Sequence, residues 1–179
     1  MSNNLMSYDN YSIQDVTPAT LRLSESLLKR YFNNMYSGVI PYSKIEVACN
    51  ADDVLGFIAY DILYIDSYNP LHGKGTEFIQ GKISVLLVDS LFRFRGIGSR
   101  LLGAACVNLI KSKCNIIVFP IRKYCRSDYI VELLNKFGFY AEDEIKEYWK
   151  YESLCKKYKC KVCGAPPCKC TAIMFIKKI

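Results

Sequence analysis

The sequence predicts a single α/β or α+β domain, spanning residues 1–179, in which helices flank a mixed β-sheet. Three observations predict this class. The chain has 179 residues and 51% of them are apolar, which suits the core of one domain. Apolar residues recur at two-residue spacing in some segments and at helical spacing in others. A strand, a loop, a helix, a strand and a helix are also predicted in succession between residues 78 and 138.

The first third of the chain predicts a strand, a helix and a β-hairpin. Residues 13–16 suit a short strand, and a helix then begins with Thr17 as its cap and Pro18 in its first position. Asparagines and a glycine between residues 33 and 38 end this helix. Two segments of strand character on either side of a turn at residues 50–53 predict the hairpin: 44–49 and 54–65.

The middle of the chain predicts two strands that alternate with two helices. Residues 78–88 are apolar and β-rich, and they lead directly into a loop that contains glycine. Helical spacing follows at residues 99–110. The nearly continuous apolar run at residues 115–121 is typical of a central strand with both faces covered. Ser127 and Asp128 then cap a helix that Gly138 ends.

The end of the chain predicts a helix, a small insertion and a last strand. Residues 142–158 carry many charges and several aromatic side chains, and we expect a long helix there. Residues 155–170 hold five of the nine cysteines, and we interpret them as an insertion within the single domain. A final strand is predicted at residues 172–176.

The loop Arg93-Phe94-Arg95-Gly96-Ile97-Gly98 has the properties of a phosphate-binding loop. Its glycines lack Cβ atoms, so a ligand can approach the backbone closely. The first N–H groups of the following helix have no partner within the helix, and they carry the positive end of its dipole. These features favour a bound phosphate or pyrophosphate. The loop lacks the Gly-Lys-Ser/Thr ending of a P-loop and the third glycine of a dinucleotide-binding fingerprint.

Two segments resemble the motifs of one enzyme superfamily. The run from Leu86 to Leu102, which includes this loop, resembles motif A of the GCN5-related N-acetyltransferase (GNAT) superfamily. The run Leu133-Leu134-Asn135-Lys136-Phe137-Gly138-Phe139 resembles its motif B, and the order and spacing of the two motifs also fit. The resemblance covers residues 13–140 and the last strand. It implies the GNAT fold, a mixed sheet in which strands 78–88 and 115–121 splay apart and the thioester of acetyl-CoA lies in the gap.

The resemblance also implies which residues bind the cofactor. Backbone N–H groups from Phe94 to Ser99 would hold the pyrophosphate, and the backbone at Leu87 and Val88 would pair with the pantetheine arm. Ser127 occupies the position of an asparagine that lies against the cofactor in many members. The expected binding residues are Leu87, Val88, Arg93, Phe94, Arg95, Gly96, Ile97, Gly98, Ser99 and Ser127.

The catalytic residues are harder to assign. Acyl transfer to an amine needs a deprotonated nucleophile, a polarised carbonyl and a proton for the leaving thiolate. Leu134 stands where many members have the tyrosine acid, and Lys82 stands where some have the glutamate base. Tyr124 and Tyr129 remain as candidate acids, and Glu77 or Asp89 as a candidate base or water-binding group.

The cysteines cluster near the end of the chain with metal-ligand spacing. Cys160-x2-Cys163-x4-Cys168-x-Cys170 supplies four thiols, which suits a tetrahedral Zn²⁺ site. Because four protein ligands leave no open position, we expect a structural role, with Cys155 as an alternative ligand. Free or redox-active thiols are the other interpretation.

Charge and composition give the expected partners and location. The formal net charge is +7, and late lysines contribute much of it, which favours an acidic partner or nucleic acid, or else a solvated lysine-rich surface. We find neither a membrane-spanning apolar run nor a signal peptide, and expect an intracellular protein, cytoplasmic or nuclear. The expected function is acetyl-CoA-dependent transfer to an amine: a protein lysine, an N-terminus or a small amine. The alternative is a catalytically degenerate module of the same fold that binds protein or nucleic acid.

Overall fold

The computed structural model describes residues 11–32, 44–50, 53–67 and 76–179. Within these ranges the chain forms seven strands and four α-helices. The strands are β1 (Ser12–Asp15), β2 (Lys44–Cys49), β3 (Val54–Ser67), β4 (Thr76–Val88), β5 (Ile116–Arg122), β6 (Tyr140–Ile145) and β7 (Ala172–Lys178). The helices are α1 (Pro18–Phe32), α2 (Ile97–Lys111), α3 (Asp128–Lys136) and α4 (Lys150–Lys156).

The strands form one mixed sheet in the order β1-β2-β3-β4-β5-β7-β6. Strands β4 and β5 pair in parallel, and the other neighbours are antiparallel. The predicted α/β class is therefore confirmed, as is the hairpin, in which β2 pairs with β3. Part of its turn and the predicted end of the first helix at residues 33–38 lie outside the described residues.

Helix α1 begins as the sequence predicts. The side chain of Thr17 accepts a hydrogen bond from the N–H of Thr20 at 3.2 Å, and the Thr20 hydroxyl accepts one from the N–H of Thr17 at 2.8 Å. This reciprocal pair satisfies two N–H groups at the helix start. Helix α1 packs Leu27 and Leu28 against one face of the sheet.

The other face of the sheet is covered by α2 and α3. Three leucines of α2 (Leu101, Leu102 and Leu109) and Leu134 of α3 are fully buried there. Ile117 of β5 is fully buried in the same cluster, so β5 is the central strand that its apolar sequence predicts.

A β-bulge in β4 changes the course of that strand. Ala59 of β3 pairs with Val85, but the next residue, Tyr60, pairs with Ile83, so Ser84 is the extra residue. The parallel pairing between β4 and β5 covers only three positions and ends at Lys82↔Val118, next to the bulge. Beyond this point the two strands diverge, as the resemblance to the GNAT superfamily implies.

The prediction of a long helix at residues 142–158 is wrong. Residues 140–145 form β6, an edge strand that pairs antiparallel with β7, and α4 covers only Lys150–Lys156. Every residue of β6 is exposed. An edge strand with two solvated faces shows no apolar alternation, and charged residues are common there because they oppose pairing with another chain. Its acidic sequence therefore gave no strand signal.

Residues 146–171, which join β6 to β7, form a unit that we call the cysteine lobe. It contains α4 and the five late cysteines, and Trp149 and Tyr158 are buried in its own apolar cluster. Phe32, at the end of α1, packs against this cluster. Of the four helices within the described ranges, none combines the length and apolar character that crossing a bilayer needs.

Candidate active site

A cavity of about 420 Å³ lies where β4 ends and α2 begins. The end of β4, the arginine-glycine loop, the first turn of α2 and the start of α3 surround it. We call it the loop cavity. Its lining residues are Phe32, Leu86, Leu87, Val88, Phe92, Arg93, Phe94, Ile97, Gly98, Ser127, Tyr129, Ile130 and Leu133. Seven of the ten expected cofactor-binding residues are among them.

Gly96 is the residue on which α2 starts. It is the N-cap with φ of 77°, a left-handed conformation that favours glycine, and its carbonyl accepts the first helical hydrogen bond from the N–H of Arg100 at 3.0 Å. A Cβ built on Gly96 would meet no atom within 4 Å. The N–H groups of the first turn therefore open onto unfilled space, which is the geometry of an anion site.

Three arginines surround this helix start. The Nε atom of Arg93 donates to the carbonyl of Val88 at 3.2 Å, and its guanidinium lies 5.3 Å from the centre of the Tyr31 ring. Arg95 and Arg100 lie over aromatic rings of their own, at 5.7 Å and 4.5 Å. A guanidinium over a ring face is attracted to the ring. These contacts therefore keep the positive charges of the three arginines beside the loop.

The start of the loop is fixed to α1 by a buried carboxylate. Asp89 accepts hydrogen bonds from Arg30 Nη1 at 2.8 Å and from the N–H of Leu91 at 3.0 Å. The Tyr31 hydroxyl donates to Ser90 Oγ at 2.7 Å and accepts from the Ser90 N–H. Asp89 therefore anchors the start of the loop to α1.

A second cavity of about 220 Å³ lies between the diverging ends of β4 and β5. We call it the gap cavity. Ser84, Phe119, Pro120 and Arg122 are among its lining residues, and it shares Phe32, Leu86 and Ile130 with the loop cavity. The two cavities therefore adjoin, and together they lead from the helix N-terminus to the space between the strands.

Among the solved structures similar to this chain are complexes with acetyl-CoA or a CoA analogue. Arabidopsis thaliana NAA60 in complex with acetyl-CoA has a TM-score of 0.69 and 13% identity, over 95% of this chain and 99% of that one. A GNAT family acetyltransferase from Elizabethkingia anophelis with acetyl-CoA bound has a TM-score of 0.68 and 16% identity, over 96% and 99%. Arabidopsis thaliana Naa50 in complex with the bisubstrate analogue CoA-Ac-MVNAL has a TM-score of 0.65 and 20% identity, over 94% and 99%. This chain has the GNAT fold. No protein-family model and no curated protein matches it by sequence.

Within this GNAT fold the two candidate tyrosines lie at different places. Tyr129, in the first turn of α3, lines the loop cavity and packs edge-on against Phe94, with ring centres 5.2 Å apart. Tyr124 lies in a 3₁₀ turn, Lys123–Cys125, directly after β5, and the neighbouring Cys125 lines the gap cavity. Burial, together with the adjacent Cys125, raises the pKa of Tyr124 well above its usual value, so its phenol stays protonated at neutral pH.

The backbone of Glu77 lies far along β4 from the start of the loop. It pairs with Asp66 at the far end of the β3–β4 ladder, eleven residues before Val88. At about 3.3 Å per strand residue this separates it from the loop by roughly 36 Å of strand. A different carboxylate lies nearer the gap, since the Ser84 hydroxyl donates to Asp61 at 3.3 Å. The sequence alone does not reveal this pair, because the bulge that exposes Ser84 has no sequence signature.

The four predicted metal ligands come together in the cysteine lobe. The sulfur atoms of Cys160, Cys163, Cys168 and Cys170 all lie within 4.8 Å of one another. Cys163 and Cys170 are 3.3 Å apart, and Cys160 and Cys170 are 3.6 Å apart. Cys155 lies on α4, is exposed and does not belong to this group, which answers the alternative left by the sequence.

Backbone hydrogen bonds hold a tight turn around the cysteine group. Cys160 and Gly164 exchange two backbone hydrogen bonds of 2.8 and 2.9 Å, and Gly164 has φ of 79°. The N–H of Lys169 donates to the sulfur of Cys163 at 3.3 Å. Burial alone would raise the pKa of the Cys160 thiol, but hydrogen bonds from nearby backbone N–H groups and from Cys170 lower it to about 7. In the same group, burial and hydrogen bonds to the neighbouring cysteines raise the pKa of the Cys170 thiol well above its usual value, so the four sulfurs do not share one charge state.

Arg122 contacts the cysteine group and also lines the gap cavity. Its place was not predicted from the sequence. This last residue of β5 is only 3% exposed. Its Nη1 atom lies 3.3 Å from the sulfur of Cys168 and 4.0 Å from that of Cys160, and its Nη2 atom donates to the Tyr158 hydroxyl at 3.4 Å. The guanidinium stacks 3.9 Å from the centre of the Trp149 ring. An arginine at the end of an otherwise apolar strand was the only available signal.

Proposed function

We propose that this protein is an acetyl-CoA-dependent N-acetyltransferase. The observation that carries the proposal is the pair of adjoining cavities, which connects a helix N-terminus to the gap between two diverging parallel strands. A phosphate-bearing cofactor with a long arm and a reactive end requires this arrangement: an anion site, an extended cleft and a site for chemistry. The GNAT fold of the chain supports the same interpretation.

The cofactor would lie along β4. Its pyrophosphate would accept hydrogen bonds from backbone N–H groups between Phe94 and Ser99, with Arg93 and Arg95 adding positive charge. The pantetheine amides would pair with the backbone of Leu87 and Val88, because β4 and β5 stop pairing at Lys82. Ser127 would contact the cofactor from the opposite wall of the loop cavity.

The chemistry is nucleophilic attack of an amine on the thioester carbonyl. The amine nitrogen forms a bond to the carbonyl carbon, the carbon–sulfur bond breaks, and the thiolate takes a proton. A backbone N–H near Val88 would stabilise the developing oxyanion. Tyr124 is the acid that we propose, because it lies in the turn that follows the strand bordering the gap, next to Cys125 of the gap cavity. Tyr129 would instead act on the cofactor from the loop cavity.

The base is proposed to act through the gap. Asp61, reached through Ser84, would take a proton from the acceptor's ammonium group, directly or through water, and the free amine that results would attack the thioester. Glu77, the base expected from the sequence, lies too far along β4 for this role.

We propose a protein or peptide amine as the acceptor. Naa50 was solved with an analogue that carries the peptide MVNAL, and the NatC complex, which has the same fold, was solved with a Gag peptide and CoA. In this chain the acceptor would enter between the end of α1 and the cysteine lobe. A small amine is the alternative acceptor.

We also propose that the cysteine group binds Zn²⁺. Thiolates arranged tetrahedrally are typical ligands of structural zinc, which orders small units that lack a large core. The cysteine lobe is such a unit, and its four ligands leave no open coordination position for a substrate.

A non-catalytic binding module is the second candidate. Leu134, which replaces the tyrosine of motif B, is fully buried in the core and supplies no proton. However, several lysines that would form a polyanion-binding surface have partners within the chain. Lys177 donates to the carbonyl of Phe137 at 2.7 Å, and Lys150 and Lys156 pair with glutamates. We therefore favour the enzyme.

Two measurements test the proposal. Calorimetry with CoA measures cofactor binding, and release of free CoA from acetyl-CoA on a panel of peptides and small amines measures transfer. We expect binding and transfer to at least one peptide. Binding without transfer to any amine would favour the binding module, and failure to bind CoA would refute both the cofactor and the enzyme.

A further inference from the structure

Most of the excess positive charge of the chain lies in the cysteine lobe. Residues 146–171 hold seven lysines and two glutamates, a formal excess of five, whereas the whole chain has an excess of seven. A zinc ion with four thiolates has a net charge of −2, so a metal-bound lobe would still keep an excess of three. Positive charge concentrated on so short a segment attracts polyanions.

Most of these lysines are available to a partner. Four of them are exposed and take part in none of the ion pairs found in the described part of the chain: Lys146, Lys157, Lys159 and Lys169. Lys150 and Lys156 pair with glutamates, and Lys161 donates to the carbonyl of Tyr31. Because the two ion pairs are solvated, they contribute little stability and can be exchanged for contacts with phosphate.

Helix α4 places an apolar row among these lysines. Tyr151 and Leu154 lie three residues apart, and therefore on one side of the helix, and they are 78% and 46% exposed. Lys150 begins α4 and Lys157 is its C-cap, so a lysine stands at each end of the row. A large aromatic ring is thus held in solvent between two cations.

A lysine from the end of the lobe lies near the same helix. A hydrogen bond from Lys150 lowers the pKa of Glu147, and the charge of Lys169 adds to this effect, so Lys169 lies near the start of α4. We call the following exposed side chains the basic surface: Tyr151, Leu154, Lys157, Lys159 and Lys169.

This combination fits a single-stranded nucleic acid better than it fits other polyanions. Unpaired bases stack on exposed aromatic rings, while lysines neutralise the phosphates that join them. A duplex keeps its bases stacked inside, and an acidic peptide has no bases to place on the Tyr151 ring. The tight turn that Cys160 and Gly164 close lies in the same lobe, and cysteine knuckles are among the modules that bind single-stranded RNA.

From these observations we propose that the basic surface of the cysteine lobe binds single-stranded nucleic acid. One base stacks on Tyr151, and Lys157, Lys159 and Lys169 contact the phosphates on either side of it. This is a second function, separate from the proposed acetyl transfer, because neither acetyl-CoA nor an amine takes part in it.

The first test measures which polyanion binds. Fluorescence anisotropy is recorded with a labelled RNA of about ten nucleotides, the DNA of the same sequence, the RNA duplex and a polyglutamate peptide of equal charge. CoA is present in excess, so that the arginine-glycine loop does not compete for phosphates. We expect a Kd of about 10⁻⁶ to 10⁻⁴ M for the single strands, and weaker binding of the duplex and the peptide.

Each probe has a decisive outcome. Binding of either single strand supports the proposal, and the lower Kd identifies RNA or DNA as the partner. If neither single strand binds, or if the polyglutamate peptide or the duplex binds as tightly, the proposal is overturned.

The second test measures the lysines of the basic surface. Each lost phosphate contact changes the slope of log affinity against log salt by about 0.7, so Lys157→Gln/Lys159→Gln/Lys169→Gln should reduce this slope by about 2. The same estimate predicts roughly a 100-fold rise in Kd near 0.1 M salt.

A matched triple variant controls for net charge. Lys111→Gln/Lys113→Gln/Lys136→Gln removes three exposed lysines at the ends of α2 and α3, and Lys113, like Lys157, has a positive φ. It is expected to keep the Kd within about twofold. Equal losses in the two triple variants would mean that net charge alone attracts the probe, and would overturn the assignment of the surface.

The third test measures the ring of Tyr151. Tyr151→Leu should raise the Kd for the single strand roughly 5- to 150-fold without changing the salt slope, because it removes a stacking surface and no charge. Tyr151→Phe keeps the ring and is expected to keep the affinity. Equal affinity of Tyr151→Leu and the wild type would overturn the stacking.

Two further measurements complete the design. Thermal unfolding shows that each variant is folded, which is expected because all the changed side chains are exposed. The amine panel tests acetyl transfer separately: a protein that binds the single strand but transfers to no amine contradicts the proposed enzyme and leaves this inference intact.

Discussion

Replacement of Gly96 by alanine adds one carbon atom to the loop and tests whether the loop binds the cofactor. Gly96 has φ of 77°, and a Cβ built there would meet nothing within 4 Å. The added methyl group therefore causes no clash in the free protein. It is added at the N-cap of α2, next to Ile97 and Gly98, which line the loop cavity, and we expect it to hinder the close approach of a pyrophosphate to the helix start.

The expected magnitudes follow from this geometry. A non-glycine residue in the left-handed region costs about 1–2 kcal/mol. For a domain of this size, that lowers the Tm by roughly 2–8 °C. Loss of one N–H hydrogen bond to a charged phosphate costs about 1.5–3 kcal/mol, which is roughly a 10- to 150-fold increase in the Kd for CoA.

Gly164→Ala is the matched control. Gly164 has φ of 79° and also has open space around its Cβ position, but it lies in the cysteine lobe and not at the start of α2. The assay is a thermal shift of each variant with and without CoA, followed by calorimetry. Both variants should lose similar stability, and Gly96→Ala alone should lose CoA affinity. Unchanged CoA affinity in Gly96→Ala, or equal losses in both, would refute the placement of the pyrophosphate.

Three further predictions concern single side chains. Tyr124→Phe should lower kcat about 10²- to 10⁴-fold and leave the Kd for CoA unchanged, as rapid kinetics and calorimetry would show; a full kcat would exclude Tyr124 as the acid. Asp89→Asn should lower the free energy of unfolding by about 1–3 kcal/mol, measured by urea denaturation, because Arg30 and the Leu91 N–H lose a charged acceptor; unchanged stability would contradict the anchor. Burial raises the pKa of the Cys106 thiol to about 11, above its ordinary value of 9.0. The neutral thiol therefore contributes to the stability of the folded protein below pH 9, and this contribution is lost as the pH rises toward 11. Cys106→Ala should show a smaller loss of stability over that range, and an identical pH dependence would count against this explanation.

The elements around the cofactor loop could be predicted because their signals are local. Thr17, Pro18 and Ser127 mark helix starts through hydrogen bonds within one turn, and the structure places helix starts at these positions. The apolar run of β5 shows its burial directly. Gly96 marks the beginning of α2, which the sequence placed within two residues of its position in the structure.

The errors concern features that depend on distant parts of the chain. Strand β6 exists because β7 offers it a free edge, and its own exposed acidic sequence does not announce a strand. The ion pair of Asp89 with Arg30, 59 residues away in the sequence, also could not be predicted without the fold. Arg122 and Ser84 were missed for the same reason, since a bulge and a buried cation are defined by their neighbours.

Cofactor binding and catalysis therefore differ in how closely the sequence determines them. The anion site consists of backbone N–H groups, so a strand, a glycine and a helix start are sufficient to build it, whatever the other side chains are. An acid requires a particular side chain in the gap, and any element that borders the gap can supply one. Leu134 lies on α3 and is fully buried in the core, which removes the motif B position from this role. Tyr124 lies in the turn that directly follows β5, next to Cys125, which lines the gap cavity. If Tyr124 is the acid, the proton therefore reaches the thiolate from the turn after β5 and not from α3, which supplies it in the many members with the motif B tyrosine.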